Sequence, residues 1–172
     1  MAAAERIPAV SPEQAELIQR RADSADPELW NLLDQVKDPE IPSISLYELG
    51  VLRDISRDGD RVRVVITPTY SGCPAMETMS QDIRQVLGDA GYQVEVKMSL
   101  SPAWTTDWMT SEARENLRGF GIAPPQPEIE QISCPHCQSG NVERISEFGS
   151  TACKALYRCK DCAEPFDYFK RI

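Results

Sequence analysis

Residues 61–79 read RVRVVITPTYSGCPAMETM. The run from Arg61 to Pro68 is rich in β-branched residues, as a strand is. A polar, turn-forming stretch follows. Beyond it Ala75, Met76, Met79, Ile83, Val86, Leu87 and Ala90 recur at three- and four-residue spacing, which predicts a helix with one apolar face. Gly91 suits the C′ position that ends it. The joint holds Cys73, the only cysteine outside the C-terminal segment. Pro74 fits the first helical position and so places Cys73 at the predicted N-cap. Unpaired N–H groups and the positive end of the helix dipole there would favour a thiolate. A reactive or metal-binding thiol and a cysteine that only caps or packs both satisfy that position.

The flanking sequence builds outward from this joint. Asp26-Pro27-Glu28 opens an earlier helix, with Leu29, Leu32, Leu33 and Val36 on one face and a stop before Pro39. The loop DPEIPSISLYELG (38–50) leads to strand-like runs at 51–57 and 61–68, joined by the hairpin signal Asp58-Gly59-Asp60. Residues 92–98, YQVEVKM, alternate as a third strand. SPAWTTDWM (101–109) is an irregular loop, followed by a short helix from Ser111 to Leu117. The fold class is therefore α+β: a helix–hairpin–helix–strand domain over 26–120. An N-terminal arm, 1–25, precedes it, with a short helix from Pro12 to Arg21. GIAPPQPEIEQ (121–131) reads as a proline-rich linker, and 132–172 as a cysteine-rich β domain.

In that last segment CPHC (Cys134, Cys137) and CKDC (Cys159, Cys162) are two C-x2-C knuckles separated by 21 residues. Four thiolates so spaced can close a tetrahedron around one structural metal ion, zinc ahead of iron. A segment of about 40 residues has little core, so the metal would supply much of its folding free energy. His136, inside the first knuckle, is expected to be an exposed loop residue. Cys153 packs as a small apolar residue by default; the alternative is a second thiol with a reactive or metal-binding role.

Composition narrows the chemistry. The chain has 172 residues, 41% hydrophobic and 26% charged, as globular domains do. Its net charge of −9 is concentrated in residues 1–131, with 12 Lys/Arg against 22 Asp/Glu; residues 132–172 carry 6 against 5. An acidic main domain repels phosphate backbones, so no nucleic-acid partner is expected. The opening MAAAERIPAV lacks a signal-peptide core, and no run nears the roughly 18 apolar residues of a membrane span. The expected location is the cytoplasm. The sole histidine, His136, lies in the zinc knuckle, which leaves Cys73 no easy Cys–His dyad. No Walker loop or G-x-G-x-x-G is present. Transient metal or cluster handling suits a lone thiol among acidic residues better than turnover of an organic substrate.

DPEIP (38–42), YELGVLRDI (47–55), TPTYSGCP (67–74) and PAWTTDWMT (102–110) together resemble the iron–sulfur assembly domain of the SufT type, also called the MIP-eighteen-like fold. PAWTTDWM, the GIAPP stretch and FGSTACKALYRC followed by EPFDYFK extend the resemblance over residues 26–172. Over that length the chain is similar to the family of accessory D subunits encoded with the ring 1,2-phenylacetyl-CoA epoxidase of bacterial phenylacetate breakdown. The resemblance implies an accessory role in maturing an iron enzyme, not catalysis of epoxidation by this chain. Cys73 matches the family's T…CP cysteine, the expected thiolate for transfer of iron or an iron–sulfur cluster. Asp38 and Glu40 match the DPE loop, and Thr69 the threonine before the cysteine. That loop folds over Cys73, donates an oxygen ligand or simply caps a turn. Tyr47 stands where many relatives carry Asp or Thr, which argues against a ligand role for the residue before Glu48.

Trp104, Thr105, Thr106 and Trp108 form an aromatic patch that, if exposed, would bind a partner; core packing is the alternative. The implied cofactors are a structural zinc and a transient iron ion or cluster, destined for a di-iron or a [2Fe–2S] centre. The implied partners are the epoxidase components or its reductase, general iron–sulfur assembly proteins and a second copy of the chain. A permanent, zinc-stabilised structural subunit of the oxygenase is the competing reading.

Overall fold

A hairpin and a crossover helix frame the first domain. The structure, a computed structural model, describes residues 10–172; the first nine residues of the expected arm lie outside it. β1 (Leu52–Asp58) pairs antiparallel with β2 (Arg61–Ile66), Asp58 standing opposite Arg61. Gly59 has φ +62°, the positive angle that the first position of a type II′ turn requires. α3 (Met76–Asp89) then returns the chain so that β3 (Gln93–Met98) lies parallel to β2, in the order β1-β2-β3.

Period and burial agree in these elements. Val62, Val64 and Ile66 of β2 are buried, whereas Arg61 and Arg63 alternate with them in solvent. On α3 the buried positions are Met76, Met79, Ser80, Ile83 and Leu87, one stripe at helical spacing. The buried polar member, Ser80, returns its hydroxyl hydrogen bond to Met76 O at 2.8 Å. α2 (Pro27–Leu33) adds Leu29, Trp30 and Leu33 to the same core.

Two expectations about free segments are corrected. The short helix expected within the arm is present as α1 (Pro12–Ala22), but it is docked on the first domain: Ser11 caps it by accepting from Gln14 N, and its hydroxyl donates to Asp107 O at 2.8 Å. Gln14 is buried and donates to Met109 O at 2.9 Å. Nor is 121–131 a free linker. Its first residues form β4 (Ile122–Ala123), which pairs parallel with β7 (Pro165–Phe169). β5 (Val142–Ser146) and β6 (Lys154–Cys159) complete the second sheet, in the order β4-β7-β6-β5. Pro124 and Pro125 are buried behind β4.

The tryptophan loop is corrected too. Trp104 and Trp108 are 4% and 1% exposed, so they form no open aromatic patch. Trp104 Nε1 donates to Leu49 O at 3.1 Å, and its ring packs on Phe169 of β7 with centroids 6.0 Å apart. Thr106 is buried and clasps the C-terminus, its N–H donating to Ile172 O at 3.1 Å. Thr105 caps the short 3-10 turn Thr106–Trp108 by accepting from Asp107 N. The loop is thus the seam between the two sheets, and α4 (Ser111–Gly119), capped by Thr110, leads from it to β4.

Trp108 also explains the ELG turn. Its ring lies 3.7 Å beneath the Arg53 guanidinium, and its backbone crosses Gly50. Gly50 has φ +79°, and a Cβ there would meet Trp108 Cβ and O at 2.7 Å. Both the angle and the space exclude a side chain. Gly50→Ala is therefore expected to destabilise the chain by more than about 1 kcal/mol, read as a lower urea midpoint at unchanged slope. Gly88, where a Cβ meets nothing within 4 Å, is the matched control.

Candidate functional site

Two clusters of sulfur stand apart in character. In the ribbon, Gln138 N donates to Cys134 O at 2.8 Å and Cys134 N to Ser139 O at 2.9 Å, which curls the first knuckle. Gln138 and Ala163, each following the second cysteine of its knuckle, share φ +65°. Neither is glycine, so no sequence signal marked these left-handed turns. The sulfurs of Cys134, Cys137, Cys159 and Cys162 all lie within 4.8 Å of one another, with 3.8 Å between Cys134 and Cys162 and 3.5 Å between Cys137 and Cys159.

A tetrahedral zinc site with Zn–S bonds of about 2.3 Å has sulfur–sulfur edges of about 3.8 Å, so the residues fit that ion. The backbone N–H groups of Cys162 and Asp161 bond the Cys159 sulfur and bring its pKa down to about 7, which favours the thiolate a metal needs. A bound zinc would cross-link the two knuckles. His136 is exposed and outside the set.

The second cluster lies where the ribbon meets the first domain. Asp38, Glu40, Thr69, Cys73, Cys153 and Lys154 line one cavity of about 20 Å³, with Leu49 and Phe169 among its apolar walls. Every residue expected around Cys73 is therefore gathered there, and Cys153 joins it from the ribbon. The Trp104–Trp108 loop is not a member; Trp104 braces Leu49 and Phe169 from behind.

Local geometry corrects the position of Cys73. α3 starts at Met76 with Ala75 as N-cap, so Cys73 sits two residues upstream, in a turn where its N–H donates to Tyr70 O at 3.2 Å. The Ala75 N–H still reaches the sulfur, but burial outweighs it and raises the Cys73 pKa, with the Asp38 carboxylate adding to the shift. The expected thiolate stabilisation by a helix terminus is thus reversed: the metal-free side chain is a neutral thiol at neutral pH. Burial raises the Cys153 pKa as well, although the Thr151 hydroxyl lies 3.1 Å from its sulfur.

Asp38 caps its own loop, its Oδ1 accepting from Glu40 N at 2.8 Å and Ile41 N at 2.9 Å. Burial nevertheless raises its pKa. Glu48, two residues before Gly50, accepts from Ser45 N and Asn116 Nδ2 and does not line this cavity.

Comparison with known proteins matches these two halves separately. Residues 27–98, which include Asp38, Glu40, Thr69 and Cys73, match the family described as iron–sulfur cluster assembly protein. Residues 124–170, which include Cys153 and all four ribbon ligands, match the PaaD zinc beta ribbon domain. The D subunit of a putative 1,2-phenylacetyl-CoA epoxidase of Escherichia coli (strain K12) is 49% identical over 165 residues, 90% of this chain and 100% of that protein. The chain belongs to that family of D subunits.

Within this PaaD-type architecture the first domain also has independent relatives. An Fe-S protein maturation auxiliary factor of Porphyromonas gingivalis (strain ATCC BAA-308 / W83) is 35% identical over 99 residues, 54% of this chain and 90% of its own. The crystal structure of a domain of unknown function, DUF59, from Bacillus anthracis superposes with a TM-score of 0.51 at 25% identity, covering 58% of this chain and 95% of that one. The chain thus joins an iron–sulfur assembly-type domain to a zinc ribbon. Among the described residues no helix is long and apolar enough to cross a membrane.

Each cluster yields a prediction. Cys134→Ser is expected to lose the bound zinc, measured by metal analysis of the purified chain, and with it amide protection in β6 and β7. At Cys73, site-resolved alkylation of metal-free pocket thiols by iodoacetamide should rise with pH through a midpoint above the ordinary thiol range. Asp38→Asn should move that midpoint down, since a negative neighbour opposes ionisation. A midpoint below that of free cysteine would restore the helix-terminus picture.

Proposed function

We propose that this chain is an accessory maturation factor that helps supply the iron or iron–sulfur cofactor of a multicomponent phenylacetyl-CoA epoxidase. Cys73 is the thiol that transiently holds the cargo, and the chain does not catalyse epoxidation itself. The observation that carries this reading is the gathering of Cys73, Asp38, Glu40 and Thr69 around one small cavity. The chain's sole histidine is His136, exposed on the ribbon, so the cavity has no imidazole base for nucleophilic turnover. The names of the epoxidase-component and maturation-factor relatives support the same direction.

The electrostatics suit release as well as capture. A cysteine whose pKa is raised holds a metal less firmly, because protons compete for its sulfur. As the cargo leaves, Cys73 takes back a proton and returns to the neutral state its buried setting favours. The ribbon sulfurs differ: four of them lie within 4.8 Å of one another, the full ligand set of a resident structural ion.

One observation favours a permanent docking role instead. Cys73 is half-buried and packs against the main core, as a purely structural cysteine does. The two readings separate in cells whose only copy of the chain carries Cys73→Ala, with the variant shown to be folded and zinc-loaded. Loss of iron and of activity from the partner epoxidase is the expected outcome. Full iron and full activity would leave a zinc-stabilised binding protein.

A further inference from the structure

Cys153 and Lys154 are neighbours in the ribbon, and both line the cavity around Cys73. The two cysteines are 80 residues apart in the chain and belong to different domains. Both are free thiols. At Lys154, β6 begins, and backbone bonds hold this corner rigid: Lys170 N donates to Cys153 O at 2.9 Å, and Gly149 N to Lys154 O at 2.8 Å.

Lys154 is the second, independent observation. Its side chain is 5% exposed, and its ammonium stands between two carboxylates as a pair of long ion pairs. The nearest carboxylate oxygens, on Glu40 and Asp167, are 3.9 and 3.8 Å away, beyond hydrogen-bond reach. Pairs this long leave the ammonium's N–H donors free to turn towards a further anionic neighbour in the cavity. Two thiolates sharing one divalent ion with the Asp38 carboxylate would supply a net negative charge at that place. The cavity's volume, about 20 Å³, is room for a single small occupant and not for a preformed cluster.

We infer that Cys73 and Cys153 form a two-thiolate site for one divalent metal ion, closed by the ribbon, with the Lys154 ammonium balancing its charge. This rests on the reading of Cys73 as the metal-handling thiol and adds the cargo's form, a mononuclear ion, and its second ligand. On binding, each thiol loses its proton to solvent and each sulfur forms one bond to the ion; no electron is transferred. The donors here are spread more widely than in the ribbon, the one group of three or more donors within 4.8 Å among the described residues. Closing that wider spacing falls to the half-buried side chains of Cys73 and Cys153, and its reversal on release is what a transfer site needs and a structural site does not.

The test uses the full-length, zinc-loaded chain, reduced and free of oxygen, titrated with cobalt(II) chloride. Zinc content is followed throughout, since cobalt binds such sulfur sites less tightly than zinc does. The wild-type chain should take up one cobalt beyond its zinc, with a near-ultraviolet sulfur-to-cobalt charge-transfer band of two thiolates. Cys153→Ser should halve the band and weaken binding by about 10- to 100-fold, and Cys73→Ser should do the same. Lys154→Met should weaken binding about 10-fold and leave the band's shape intact.

If Cys73→Ser abolishes the band while Cys153→Ser leaves band and affinity unchanged, the two-thiolate site is overturned and the Cys73 reading stands. If neither substitution matters, both fall. Anaerobic titration with iron(II) and sulfide that yields two irons per chain would overturn the single-ion form. Serine is close to isosteric with cysteine, and retained zinc with unchanged thermal unfolding certifies each variant as folded.

Discussion

The four-cysteine cluster does more than hold the ribbon. A segment this small buries only a modest cluster, formed by Ala123, Ile132, Ala155, Tyr157, Phe166 and Tyr168 with two of the cysteines themselves. The four sulfurs bring its two ends together, and that closure fixes the β6–β7 pair which lays Phe169 against the first domain's core. One wall of the cavity around Cys73 therefore depends on a metal site made of other residues. A structural ion and a transient one would be coupled through the same strand pair, although they occupy different sulfurs.

The tryptophan loop makes this coupling rigid. Trp104 ties the turn carbonyl of Leu49 to Phe169, and both of those residues wall the cavity. Trp108 seals the other side of the turn over Gly50, stacked under Arg53. Two large aromatic side chains at a domain seam bury much apolar area with few rotatable bonds, which suits a fixed interface more than a hinge. On the proposed reading, capture and release would move only the Cys73 and Cys153 side chains, which are half-buried.

The contrast between the two sulfur clusters is one of preorganisation. In the ribbon the four sulfurs lie within 4.8 Å of one another; backbone N–H groups bring Cys159 down to about 7, whereas, against the Glu164 N–H, burial and the adjacent sulfurs push Cys162 up to about 12. Around Cys73 and Cys153, burial and nearby carboxylates oppose ionisation. On the proposed reading, sulfur keeps a structural ion in one place and releases a transient one in the other, and the difference is geometric: four sulfurs within 4.8 Å against two thiols lining a small cavity.

Much of this was legible in the sequence, where the physics is local. The two C-x2-C spacings sufficed to bring four sulfurs together, because a knuckle's reach is set within a few residues. The Asp58-Gly59-Asp60 hairpin and the Met76–Leu87 stripe declared themselves by turn chemistry and period. What tertiary structure alone decided is long-range. The proline-rich 121–131 stretch pairs in part with a strand more than 40 residues downstream, and both tryptophans of 104–108 turn inward. The sign of the Cys73 shift reversed because a helix terminus is a local feature whereas burial is a property of the whole packed domain. Cys153 meets Cys73 for the same kind of reason: no pattern in one segment can record what the folding of another brings beside it.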